Sequence, residues 1–329
     1  MGAPTTGRAL VGVSACLLGE EVRHDGGHKR DGFISGPLTR AVELRPVCPE
    51  VDIGLGVPRE PIELARRGDD LRLVASESGT DLTAAMRSYA EAKVQELDAA
   101  GICGYVLKSR SPSCGLGSVP IDDTETGDGL FAAALSGLCE LLPLVEETGL
   151  VDDDAREVFL QRVLAYRRLR DLFDGEWTID NLIGHHTRQE LLLMAQSPEL
   201  HSELGRLVAA GGGDPAEVED SYRRLTMEAF RKKAGPARHA DALSHMQGYL
   251  QDRVQEAEYR ELERKIGLFS DGDCSLSRVL DDFRILVKKH SVDYLAAQVY
   301  LDPQPFELLY PTPPLLNDNQ GNSPDATQG

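Results

Sequence analysis

The chain changes texture once, near residue 150, and that change limits the folds open to it. Before it, short β-rich apolar runs (ALVGVSAC, RPVCPEVDIGL, LRLVAS, ICGYVLKS) alternate with glycine-containing loops and helical stretches. After it the strand signal stops. From Ala155 to about Leu301 amphipathic helix patterns follow one another, such as AREVFLQRVLAYRRLRDLF and EAEYRELERKIGLF, punctuated by SPEL, AAGGGDP and KAGPARH. The alternation predicts an α/β N-terminal domain with a mostly parallel sheet, and the run of helices predicts an all-α C-terminal domain. The expected divisions are residues 1–150, residues 151–310 and a tail, 311–329, whose proline-rich polar sequence has little to bury and is expected to be mobile.

One helix of the first half is legible in detail. In DLTAAMRSYAEAKVQELDAAG the apolar residues Leu82, Met86, Tyr89, Ala90, Val94 and Leu97 recur at helical spacing, Asp81 stands as N-cap and Gly101 ends the helix.

Charge and composition narrow the partners. With 35 Lys plus Arg against 54 Asp plus Glu, the net charge is -19, so the field of the molecule repels polyanions and disfavours duplex DNA or an anionic membrane as main partner. No run approaches the ~20 apolar residues of a membrane span, and the N-terminus lacks the pattern of a secretory signal. A cytoplasmic location is expected, in which the six cysteines remain thiols.

Three of those cysteines fall where strands should end. Cys16 closes the first apolar run, Cys48 sits in PVCPE, and Cys114 lies in SRSPSCG, just after ICGYVLKS. In α/β folds ligands bind in the crevice beyond the carboxyl ends of the strands, so the three could converge. No CxxC pair links them, and by spacing alone each reads as a small buried hydrophobe. Their surroundings add to the argument. Arg23, His24, His28, Lys29 and Arg30 cluster beside Cys16 in an otherwise acidic protein, which suits either an anionic thiolate-bound iron–sulfur centre or a solvated loop. Glu50, two residues from Cys48, and Ser111, three before Cys114, are placed to face whatever the cysteines hold.

The segments VGVSACLLGEEVRHDGGHKRD, PVCPEVDIGLGVPREPIEL and VLKSRSPSCGLGSV together resemble the family of small iron–sulfur proteins that includes the bacterial thiouracil desulfidases, over about residues 8 to 145. GHHTRQELLLMAQSPELHSELGRLVA, HADALSHMQGYLQDRV and YLAAQVYLDPQPFELL resemble the helical domain that often follows it, with no activity to carry over. The resemblance implies a 4Fe-4S cluster on Cys16, Cys48 and Cys114 with one iron left open, and catalytic roles for Glu50 and Ser111. Cys103, Cys139 and Cys274 fall outside the motifs and read as structural. The expected substrate is a small thiolated pyrimidine base, nucleoside or nucleotide of the 4-thiouracil type, its sulfur released as sulfide without redox change. Sulfide transfer by the same cluster, a structural zinc site and a helical interaction module are the alternatives. The oligomeric state has no signature in the sequence, and nothing sets His185, His186, His201, His239, His245 and His290 at metal-ligand spacing.

Overall fold

The computed structural model describes residues 7–68, 70–121 and 125–311. The first strand, β1 (Ala9–Ser14), runs into a single turn of tighter helix that carries Cys16. There follow α1 (Pro37–Ala41), β2 (Val42–Val47), the short α2 (Pro49–Asp52), β3 (Ile62–Arg67), β4 (Asp70–Ala75), α3 (Thr83–Ala99), β5 (Ile102–Leu107), the two-residue strands β6 (Val119–Pro120) and β7 (Thr126–Gly127), α4 (Leu130–Leu138) and β8 (Leu144–Glu146). Four strands form one sheet in the order β2-β1-β5-β8, every pairing parallel. The α/β expectation holds, with one difference of detail. LRLVAS is a strand, but as β4 it pairs antiparallel with β3 in a hairpin outside the parallel sheet.

Every residue of β5 is buried, as suits a central parallel strand covered on both faces. On α3 the predicted stripe is the buried one: Met86, Ala90, Val94 and Leu97 lie in the core. The N-cap position is Leu82 rather than the expected Asp81, which stands one residue earlier and accepts from the Thr83 N–H at 2.9 Å. Gly101 terminates it in a left-handed conformation, φ 83°.

The second half consists of α5 (Asp153–Phe173), α6 (Ile179–Gln196), α7 (Pro198–Ala210), α8 (Pro215–Ala229), α9 (Pro236–Gly248), α10 (Glu256–Ser270), α11 (Leu276–His290), α12 (Asp293–Ala296) and α13 (Pro305–Leu309), with no strand among its described residues. Each punctuating segment is a helix boundary: Ser197 and Asp214 cap α7 and α8, and Pro198, Pro215 and Pro236 occupy first-turn positions.

The two halves share one hydrophobic core. Helix α5 lies directly on the sheet at Gly104, where a Cβ would come within 2.7 Å of Val163 Cγ2. Arg170 reinforces the contact, pairing with Asp98 Oδ1 at 2.6 Å and donating to the Asp98 carbonyl at 2.9 Å. The tail expected to be mobile lies outside the described residues, apart from Pro311.

Candidate functional site

The three singled-out cysteines stand at the carboxyl ends of three adjacent strands. Cys16 follows β1, Cys48 follows β2 as N-cap of α2, and Cys114 sits in the turn after β5. They are near enough to act on one another electrostatically: both Cys16 and Cys48 raise the Cys114 thiol, and Cys48 raises Cys16. All three are free thiols. Burial is the main influence on each. It pushes Cys16 up to about 11, carries Cys114 further, and raises Cys48 against the opposing N–H of Val51. Without a bound cation these are neutral thiols at pH 7, and loading a thiolate-binding group would release their protons.

Local structure fixes the Cys114 turn from two directions. The Ser111 hydroxyl oxygen accepts from the N–H groups of Ser113 and Cys114, at 3.3 and 3.2 Å. The amino end of α4 then docks on the same turn, with the N–H of Phe131 bonding the Ser113 carbonyl at 2.9 Å and that of Leu130 the Pro112 carbonyl at 3.2 Å. Gly129 permits this approach, since a Cβ there would lie 2.5 Å from the Ser113 carbonyl carbon. Ser14, buried at the end of β1, accepts from the Lys108 N–H at 3.0 Å, and its side chain opposes the burial that raises the Cys114 thiol.

Glu50 is held at both carboxylate oxygens. Oε2 accepts from Arg59 Nη2 at 2.6 Å and Nε at 3.1 Å, while Oε1 accepts from the Ser113 hydroxyl at 3.2 Å. Arg59, 5% exposed, also donates to the Val22 carbonyl at 2.8 Å and the Gly56 carbonyl at 2.8 Å, and its own N–H reaches the His24 carbonyl at 2.9 Å. It thereby ties the loop after Cys16 to the helix after Cys48. On the other side Lys108 pairs with Glu147. Burial pushes the Glu147 carboxyl up, but Lys108 and the Ser109 hydroxyl and N–H outweigh it and hold the group below its ordinary range.

The cationic cluster beside Cys16 converges only in part. Arg23 and Lys108 act on the Cys16 thiol, whereas His28, Lys29 and Arg30 are exposed in a solvated loop. Cys103 is buried in β5 and senses Arg167 and Arg170 of α5, with none of the three clustered thiols among its electrostatic neighbours. Cys139 and Cys274 lie half-buried outside the site. Arg59, Ser113 and Ser14 are the site residues the sequence reasoning passed over. Arg59 stood in view between two prolines in the quoted VPREP, but nothing local marks it as the partner of Glu50.

A family model described as 2-thiouracil desulfurase matches residues 11–147, the span that contains all of these groups. The uncharacterized protein YbbK of Bacillus subtilis (strain 168) is 33% identical over 140 residues, 38% of this chain and 89% of that protein. The chain belongs to the 2-thiouracil desulfurase family. Its first half is therefore an enzyme of carbon–sulfur bond cleavage. A second model, a protein of unknown function (DUF1722), matches residues 190–305. The uncharacterized protein YbgA of Escherichia coli (strain K12) is 24% identical over 148 residues, 44% of this chain and 88% of that protein. The solved structure of a [4Fe-4S]-dependent thiouracil desulfidase, TudS, has 35% sequence identity to this chain and a TM-score of 0.37, covering 44% of this chain and 93% of its own.

Among the described residues of this desulfurase-family chain, no group of three or more His, Cys, Asp or Glu is set to hold a metal ion. The fit is one of chemistry: three soft sulfur donors follow adjacent strands, with Arg23 and Lys108 acting on Cys16, and such donors suit an iron–sulfur group. The Tyr105 hydroxyl adds to that fit. It is fully buried, without a hydrogen-bond partner among the described residues, and Cys114 and Cys48 are among its electrostatic neighbours. Among the described residues, no helix is long and apolar enough to cross a membrane.

Proposed function

We propose that the chain removes sulfur from a thiolated pyrimidine base, nucleoside or nucleotide of the 4-thiouracil type, using a 4Fe-4S cluster held by Cys16, Cys48 and Cys114. The observation that supports this reading is the placement of three free thiols after the adjacent strands β1, β2 and β5, near enough to influence one another electrostatically. Three protein ligands leave one iron of such a cluster open, a Lewis acid that favours soft thiocarbonyl sulfur over the harder oxygen of the product. Structural zinc, by contrast, normally takes four protein ligands.

The net reaction exchanges sulfur for oxygen: water supplies the oxygen of the new carbonyl, and sulfur leaves with two protons as hydrogen sulfide. Glu50 is the group proposed to move a proton. Arg59 occupies Oε2 with two N–H bonds, so Oε1, touched by Ser113, is the oxygen free to take a proton from water and return it. Ser111 accepts two backbone N–H bonds and keeps its own hydrogen to donate to water or to a substrate heteroatom. The net charge of -19 supports a small substrate over an intact tRNA.

Anaerobic reconstitution followed by sulfide release tests the reading. Cys16→Ala, Cys48→Ala and Cys114→Ala should each lose the brown visible absorbance, whereas Cys103→Ala, Cys139→Ala and Cys274→Ala keep it. Full cluster content in Cys48→Ala would overturn the ligand set. Release from free thiouracil, its nucleoside or its monophosphate, but more slowly from thiolated tRNA, is the expected order. Sulfide that appears only when a protein or small-molecule acceptor is supplied would favour transfer.

A further inference from the structure

The helical half holds a half-open cavity of about 320 Å³ among α5, α6, α9, α10, α11 and α13, lined by none of the residues of the thiol site. Its polar lining is unusual. Gln161 of α5 and Gln196 at the end of α6 are only 7% and 8% exposed, both line the cavity, and among the described residues neither side-chain amide has a hydrogen-bond partner in the protein. Their amide atoms open onto the cavity rather than being sealed in protein, so a molecule that fills it displaces water from them and must supply partners of its own. Two unpaired amides that line one space are therefore poised for a molecule that brings the missing partners.

A third polar group adjoins them. His239, 8% exposed, bonds through Nδ1 to the Tyr300 hydroxyl at 2.6 Å, with the two rings stacked at 4°, which leaves Nε2 as its free hydrogen-bonding atom. Burial, with Lys233 nearby, lowers its pKa to about 4, so the imidazole is neutral at pH 7. Buried Phe230 and Phe269 supply apolar walls, and Phe306, 44% exposed, lies at the opening.

The charged groups of the lining belong to its rim. Lys233 is paired there with Glu157 and Asp154, both at 2.7 Å. A charged ligand would be stripped of water among neutral partners, at a cost that nothing in the interior offsets. A side-chain amide presents a donor and an acceptor side by side, and the group that answers both at once is another amide edge. The volume lies at the lower end for small-molecule sites, which suits a single ring or a ring with a short substituent.

We propose that this cavity is a second ligand site, for a neutral planar lactam heterocycle of pyrimidine size, held edge-on by Gln161 and Gln196. The inference rests on the helical half alone and stands whether or not the thiol site performs desulfuration. Uracil is the simplest probe, a flat uncharged ring with amide edges on two sides. Equilibrium dialysis and amide hydrogen exchange on the full chain test it. Uracil should bind, and it should slow exchange in α9 and at the end of α6 while leaving the Cys114 turn unchanged. 1,3-Dimethyluracil, which lacks both N–H donors, and orotate, which adds a carboxylate, should bind at least about tenfold more weakly. Gln161→Met with Gln196→Met should weaken uracil binding about as much and leave sulfide release at the wild-type rate. Absence of uracil protection in α9, or equal affinity for 1,3-dimethyluracil, would overturn the proposal. Because the ligand series is run on the unaltered chain, it decides the matter even if the double variant does not fold.

Discussion

Arg59 is the residue on which most depends outside the cysteines. Its guanidinium satisfies a carboxylate and two backbone carbonyls from different segments. Removing one partner of such a pair leaves the other unmet, a loss of roughly 3 to 5 kcal/mol where the pair is well buried, and less here because Glu50 is 16% exposed. Arg59→Gln should lower the thermal midpoint and the rate of sulfide release together. Arg59→Lys should rescue neither fully, since an ammonium cannot reproduce the planar fork. Wild-type melting and turnover in Arg59→Gln would show that Glu50 is positioned by other means. Glu50→Gln and Ser111→Ala have a different expected signature, retained cluster with turnover lowered by ~10²- to 10⁴-fold; loss of iron in either would assign it a structural part. The contrast explains what was legible in the sequence. Cys16, Cys48 and Cys114 carry their chemistry in the side chain and announce themselves at strand ends. Arg59 gains its role only when the chain returns it to Glu50 and Val22. Ser113, two residues beyond Ser111, is the hydroxyl that reaches Glu50, and which of two near-identical serines does so depends on a turn that spacing does not specify.

Among the elements, α4 offers a paired test with opposite signs. At its start, Gly129 abuts the Cys114 turn so closely that Gly129→Ala must push backbone against backbone, an overpacking effect of about 1 to 3 kcal/mol. Thermal stability and cluster retention should both fall. Near its end, Gly137 has nothing within 4 Å of an added Cβ, so Gly137→Ala should stabilise by roughly 0.5 to 1 kcal/mol through helix propensity. Urea titration of the two variants decides it, and a destabilised Gly137→Ala would mean that this end of α4 is not ordinary helix. Element identity was largely readable because amphipathic spacing, caps and proline starts are local signals, as at Ser197 and Pro198. The placement of β4 was not, because an apolar run of that length fits a parallel sheet or a hairpin equally well, and its antiparallel pairing with β3 is a tertiary outcome.

The whole molecule responds to pH through histidines that its packing keeps neutral. Burial lowers His239 to about 4 and His185 to about 3, both below the ordinary value of 6.5. In the unfolded chain they bind protons near pH 6.5, while the folded chain resists until lower pH. Their contribution is thus present above pH 6.5 and lost as pH falls toward 4. For His239 alone it is on the order of 3 kcal/mol. Melting curves at pH 7 and 4.5 should show a marked fall in midpoint that His239→Gln makes shallower; equal slopes would remove His239 as a cause. The shared core bears on the division at residue 150 as well. A chain ending at Leu150 would uncover the sheet face where Val163 and Phe159 meet Gly104, so it should give a broad, weakly cooperative melt and poor cluster retention. A sharp transition there would show that the first half stands alone. Helix α5 has a further consequence, since it presents Val163 to the sheet and Gln161 to the cavity. One rod is thus both a layer on the sheet and a wall of the cavity. Calorimetry of the intact protein should therefore record one unfolding event, and any compound that fills the cavity should delay the melting of the sheet with it.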